Sequence, residues 1–209
     1  MKALSATVAI VFAISFLAGP TMGAGWFWDV GNALGFAGFA GLLFLTITGS
    51  RRVDVLAHRL LANAVFALVV AHALWFLLGD ATVVTFIEPG APDYMWLGIV
   101  SLVLIAFMMI AATLPDRRRL HSNYRSFRYW HRVLTVAAIL TGAYHVMASG
   151  FYLHTWHQLI VFGLLSIAVC SGHEYWSRLG RIDIPSPAAF AGICTAAIAA
   201  FAVLRNLPS

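Results

Sequence analysis

Apolar residues run in long blocks along this chain, and polar residues are confined to the short stretches between them. The apolar runs cover about 3–19, 30–49, 56–78, 94–114, 127–148, 156–176 and 188–204. A helix needs roughly 17–25 apolar residues to cross a bilayer, and the runs are long and uninterrupted. The pattern predicts an all-α integral membrane protein, a bundle of six to seven transmembrane helices. The first run is at the short limit. With the small residues Thr21, Met22, Gly23 and Ala24 behind it, it reads either as a first helix or as a signal peptide. In the second run Gly31, Gly35, Gly38 and Gly41 recur at three- and four-residue spacing, which gives a small-residue face for close helix contact.

The third and fifth runs share a plan. AHRLLANAVFALVVAHALW carries His58 and His72; RYWHRVLTVAAILTGAYHVMASG carries His131 and His145; each pair is fourteen residues apart. At about 100° per residue, fourteen residues return a side chain to within roughly 40° of its starting face, about 21 Å along the axis. Each helix therefore shows one face with a histidine toward either side of the membrane.

Charge distribution orients these faces. Arg51 and Arg52 fall between the second and third runs, and Arg59 at the start of the third. Arg117, Arg118, Arg119 and Arg125 fall between the fourth and fifth, with Arg128 and Arg132 at the start of the fifth, and Arg178 and Arg181 fall between the sixth and seventh. The opposite loops carry Asp29, Asp80, Glu88 and Asp93, so the arginine side is expected to be cytoplasmic. The third and fifth spans then run in the same direction. This puts His58 level with His131 and His72 level with His145. The formal charge of +5 and the pI near 9.7 are explained by this topology and call for no nucleic acid. Charged residues make up only 10% of the chain and mean hydropathy is +0.86, which leaves no stretch for a separate soluble domain. Cys170 and Cys194 sit in apolar runs without a paired motif and read as packed or lipid-facing residues.

An imidazole in hydrocarbon is costly unless it is bonded or acts as a ligand. Four at matched depths predict a two-haem core between the third and fifth spans. Two b-type haems would each be held by two histidines, His58 with His131 and His72 with His145. Bis-histidine ligation leaves no open position on iron and favours electron transfer. Ala57, Ala71, Gly142 and Ala143 are small enough to leave room for the macrocycles. Arg59 and Arg132, each directly after a histidine, are placed either to pair with haem propionates or simply to set topology. Helix–helix hydrogen bonding explains one such histidine but not two matched pairs, and tetrahedral zinc needs closer ligand spacing. His121, His154, His157 and His173 read as solvated, interfacial or packing residues. Trp75, Trp96 and Trp130 read as interfacial belt residues. No residue is assigned as catalytic.

The segments HRLLANAVFALVVAH and RYWHRVLTVAAILTGAYH, with the basic loop between them, resemble the ferric reductase-like transmembrane domain family. That family includes ferric reductases, NADPH oxidases and the haem-binding membrane subunit of a methionine sulfoxide reductase system. The resemblance runs from about residue 30 to 176. It implies that His58, His72, His131 and His145 are axial ligands and that electrons pass from a cytoplasmic donor to an acceptor across the membrane. No glycine-rich nucleotide fingerprint follows a strand here, so the expected donor is a separate flavin reductase or the quinone pool.

This divides the chain into a first helix or signal peptide over 1–23, the haem-binding domain over 24–181, and a loop with a last helix over 182–209. The expected setting is a bacterial inner membrane, with a periplasmic or extracellular acceptor. Two other readings compete. One is a quinol-oxidising cytochrome b subunit, weakened by the scarcity of membrane-embedded acids. The other is a non-redox haem or metal transporter or assembly protein, weakened by the lack of matched broken helices.

Overall fold

The computed structural model describes residues 1–18, 24–49, 55–113, 124–178 and 182–207. Arg51, Arg52, Arg117, Arg118, Arg119, His121, Arg181, Thr21, Met22 and Gly23 lie outside the described residues, as does the side chain of His173. Among the described residues every regular element is helical: α1 (Lys2–Ile14), α2 (Trp26–Gly49), α3 (Val55–Gly79), a 3₁₀ turn (Ala81–Ile87), α4 (Asp93–Thr113), α5 (Tyr124–Ser149), α6 (Trp156–Ser171), α7 (His173–Arg178) and α8 (Pro187–Asn206). The chain is thus an all-α, multi-pass membrane protein. Five helices, α2, α3, α4, α5 and α8, are long and apolar enough to cross a bilayer, while α1 and α6 are shorter apolar helices.

Local chemistry explains several boundaries. Thr155 and Gln158 form a reciprocal capping box at the start of α6, which satisfies two backbone donors of its first turn. Ser186 caps α8 by accepting from the Ala189 amide, and Pro187 follows at a position where its missing N–H costs nothing. The sixth apolar run, continuous in sequence to Trp176, breaks at Gly172. A Cβ at that glycine would lie 2.7 Å from both the Trp176 ring and the Ala168 carbonyl.

α2 is the central element: 67% of its apolar window is buried, against 11–22% for the other four long helices, which turn most of their surface outward. α2 packs on α1, α3 and α8 and touches α5 and α6. Its glycine face lies against α3. A Cβ at Gly38 would stand 2.8 Å from Val69 Cγ2, and one at Gly41 would stand 2.6 Å from Val65 Cγ2. Without side chains at these positions the two backbones approach and dispersion contacts accumulate. On the other side of α2 an aromatic core forms, with Phe36 against Phe12 and Phe201, and Phe39 stacked on Phe162 at 5.1 Å. α4 packs chiefly on α5.

Asp29, which sequence placed at an interface with the loop acids, is instead 0% exposed in the first turn of α2. Its carboxylate accepts from the Tyr152 hydroxyl at 2.7 Å and from the Asn206 amide at 2.7 Å. Arg205 donates to the Ser15 carbonyl and lies 4.7 Å from the ring centroids of Phe16, Tyr152 and Phe201. Gln158 donates to the carbonyls of Ile14, Ser15 and Tyr152. This buried polar cluster ties α1, α2, α6 and α8 together at one end of the bundle. The physical reason is satisfaction: a carboxylate, a guanidinium and the last carbonyls of α1 need partners once water is excluded.

Candidate functional site

α3 and α5 carry the four histidines, yet they are not among the closely packed helix pairs. α2 and α4 hold them: α3 lies on α2, and α5 lies on α4. A gap is left between α3 and α5, and the histidines face each other across it.

His58 and His131 are brought together with ring centroids 6.5 Å apart and planes inclined at 65°. His72 and His145 are brought together at 6.4 Å and 74°. Two pairs at the two ends of α3 and α5 require these helices to run parallel. An imidazole nitrogen lies about 2.0–2.1 Å from a first-row metal ion, and the ring centre about 1.1 Å behind it, so two imidazoles on opposite sides of one ion have centroids about 6.3 Å apart. Both pairs have that separation. Among the described residues no three His, Cys, Asp or Glu side chains converge on one point. The histidines meet in twos, which suits axial ligation and not a tetrahedral ion.

The two pairs differ in surroundings. His72 and His145 line a cavity whose walls are otherwise nearly all apolar, built from α2, α3, the 3₁₀ turn, α4 and α5. Gly35, Gly98 and Gly142 form part of its wall. His72 Nδ1 lies 2.8 Å from the Gly31 carbonyl and His145 Nδ1 lies 2.9 Å from the Tyr94 carbonyl. A carbonyl only accepts, so each Nδ1 carries the proton and donates. In the neutral ring Nε2 then keeps its lone pair for a ligand. In the other pair His58 Nδ1 is buried without a hydrogen-bond partner among the described residues, and His131 stacks on Phe127 at 5.7 Å.

The remaining sequence candidates are placed as follows. Arg59 and Arg132 are exposed beside the His58–His131 end. Arg132 borders a shallow recess with Tyr129, Val133 and Val136, on a face of α5 other than that of His131. Of the four small residues expected to leave room, Gly142 lines the cavity. Ala143 is buried in the core, and Ala71 is exposed on the outer surface of α3. His154 and His157 are exposed, the latter against Trp156. Cys194 is buried and Cys170 half-buried, and both are free thiols.

Sequence reasoning missed the carbonyls of Gly31 and Tyr94 and the polar cluster around Asp29. An acid, a glutamine and an arginine each beside or within an apolar run were the available signals for the cluster. No side-chain signal marks a backbone carbonyl as a partner.

Fold and site together define a polytopic helical membrane protein with two stacked histidine pairs inside its bundle. Residues 42–142 match the family described as ferric reductase like transmembrane component. The matched stretch contains His58, His72 and His131, and His145 follows three residues later. Two curated relatives come from Candida albicans. A "Probable ferric reductase transmembrane component" is 27% identical over 128 residues, 61% of this chain and 17% of that protein. "Ferric/cupric reductase transmembrane component 1" is 27% identical over 128 residues, 61% of this chain and 15% of that protein. The chain therefore spans less than a fifth of the length of these relatives. No solved structure matches it.

Proposed function

We propose that this chain carries electrons across a membrane through two b-type haems, one held by His58 and His131 and the other by His72 and His145. The observation that carries this reading is the pair of imidazole separations, 6.5 and 6.4 Å, on helices that otherwise leave a gap. The residues present fit the group. The histidines offer ligands on opposite sides of the gap, and the apolar cavity at the His72–His145 end accepts a flat hydrophobic body. When bound, such a group would supply a one-electron carrier.

The chain's own residues do the rest. α2 and α4 hold the ligand helices apart and in parallel. Apolar walls from Phe36, Phe39, Leu102 and Ile105 exclude water from the cavity. The donor bonds to the Gly31 and Tyr94 carbonyls keep His72 and His145 in the tautomer that presents Nε2. Arg59 and Arg132 supply positive charge near the other pair, suited to propionate carboxylates.

The arginine end is the cytoplasmic end by the positive-inside rule, and in a bacterium the membrane would be the inner one. Electrons then enter at the His58–His131 end from a separate flavin reductase or from quinol, and leave at the His72–His145 end to an acceptor outside. The test is a dithionite-reduced minus oxidised spectrum of the purified full chain, with haem counted per chain, for wild type, His72→Ala and His131→Ala. Two haems in the wild type and a loss in each variant are expected. Folded wild-type protein without a b-type spectrum overturns the reading.

A further inference from the structure

Three contacts between helices of this bundle share one geometry. In an α-helix the carbonyl of residue i points toward the amide of residue i+4, and the Cβ of i+4 stands beside that oxygen. A donor from a neighbouring helix reaches the oxygen's second lone pair only if that Cβ is out of the way. His72 reaches the carbonyl of Gly31 where residue i+4 is Gly35. His145 reaches the carbonyl of Tyr94 where residue i+4 is Gly98. Ser101 Oγ reaches the carbonyl of Ala138, 2.8 Å away, where residue i+4 is Gly142.

The fit is tight. A Cβ at Gly98 would lie 2.7 Å from His145 Nδ1 and 2.9 Å from its Cγ. A Cβ at Gly35 would lie 3.0 Å from both Nδ1 and Cε1 of His72. Both imidazoles occupy the space that a side chain would fill: a Cβ at Gly98 forces the His145 ring to move, and one at Gly35 makes the His72 ring give by a few tenths of an ångström.

The His58–His131 end lacks the device on α2. One repeat of fourteen residues beyond the Gly31 carbonyl is that of Leu45, which is already taken by the Thr48 hydroxyl at 3.2 Å. Among the described residues His58 Nδ1 is left buried without a partner.

We propose that Gly35 and Gly98 are positioning residues that open the Gly31 and Tyr94 carbonyls to His72 and His145, and that this makes the His72–His145 centre the more strongly donating of the two. A hydrogen bond from Nδ1 to a carbonyl raises the basicity of Nε2 and favours the oxidised state of a bound metal. The centre at this end therefore has the lower midpoint potential from this cause. The arginines at the opposite end act in the same direction, because positive charge favours the reduced state there. The inference rests on the haem reading above.

The experiment is a redox titration with low-spin EPR on the full chain in nanodiscs, for wild type, Gly35→Ala, Gly98→Ala and the control Gly192→Ala. Gly192 has nothing within 4 Å of an added Cβ. The wild type should titrate as two components. Gly98→Ala should raise the midpoint and shift the EPR signal of the lower-potential component alone. Gly35→Ala should do so by a smaller amount, and Gly192→Ala should change neither. Haem-replete Gly35→Ala and Gly98→Ala proteins with unshifted potentials and signals overturn the inference and leave the haem reading standing. Should the glycine variants not assemble, each centre is isolated instead, by His58→Ala or by His72→Ala. The centre left in His58→Ala should have the lower potential, and equal or reversed potentials overturn the inference. Wild-type protein without haem overturns both proposals.

Discussion

His72 and His145 face each other with ring centroids 6.4 Å apart, although the helices that carry them are not closely packed. Each ring is aimed by a different neighbour, His72 by α2 through Gly31 and His145 by α4 through Tyr94. The pair is therefore a product of two helix hairpins and not of a contact between α3 and α5.

Each hairpin should be individually required. His72→Ala and His145→Ala are each expected to lower bound haem by roughly half and to keep the component at the His58–His131 end. Haem counting against protein, with the residual spectrum, checks this. Retention of both haems in either variant would contradict the ligand assignment.

At the other end, His58→Ala and His131→Ala should break the path across the membrane while leaving the His72–His145 component reducible by dithionite. In sealed vesicles with a donor on the arginine side and a trapped acceptor inside, transfer should fall to the protein-free rate. Transfer at the wild-type rate would show that this pair is not on the path.

The Asp29–Tyr152 bond makes a stability prediction. Tyr152 is 4% exposed, and burial first and Asp29 second push its phenol well above the ordinary value. Removing the donor with Tyr152→Phe should cost about 1.5–3 kcal/mol, the range for a hydrogen bond to a charged group. The sign of the pH dependence follows from the raised value. The contribution is fully present below 10.0, the ordinary phenol value, and is lost as pH rises beyond it because the unfolded chain ionises first. Denaturation of wild type and Tyr152→Phe across that range should show the two converging. A gap that widens with alkaline pH would contradict the bond.

The first helix should be present in the mature protein. Leu4, Val8, Val11, Phe12 and Ile14 are buried, and the Ile14 and Ser15 carbonyls accept from Gln158 while Arg205 also donates to Ser15. Loss of α1 would leave buried donors unpaired at about 1–3 kcal/mol each. Amino-terminal sequencing of protein from membranes should recover α1. A mature chain starting near residue 24 would show that the segment is removed.

Close α2–α3 packing is tested at Gly41, where a Cβ would lie 2.6 Å from Val65 and 3.0 Å from Phe190. Gly41→Leu should destabilise the bundle by about 1–3 kcal/mol through overpacking, whereas Gly192→Leu should change little. Thermal unfolding in one detergent compares them, and equal effects would contradict the packing.

Helix positions and the helical class were legible because hydrophobicity along the chain responds to the thickness of the bilayer core, a constraint that acts on each segment alone. The pairing of the histidines was legible in outline for a similar reason: fourteen-residue spacing fixes face and depth within one helix, and the arginine bias fixes direction. Gly31, Gly35, Gly38 and Gly41 were legible as a contact face. That one of them serves a histidine was not, because the partner is a backbone carbonyl that every residue carries. Asp29 was misplaced because an acid next to an apolar run looks the same in sequence whether it meets water or meets Tyr152 and Asn206.

By itself, then, the sequence determined which segments are apolar helices and which histidines share a depth, since both depend on periodicity and hydrophobic length. Only the tertiary structure decided which helices touch, which carbonyls receive His72 and His145, and why His58 Nδ1 receives no such bond. These depend on the approach of backbones from distant parts of the chain, set by steric fit at single glycines and by the need of buried polar groups for partners.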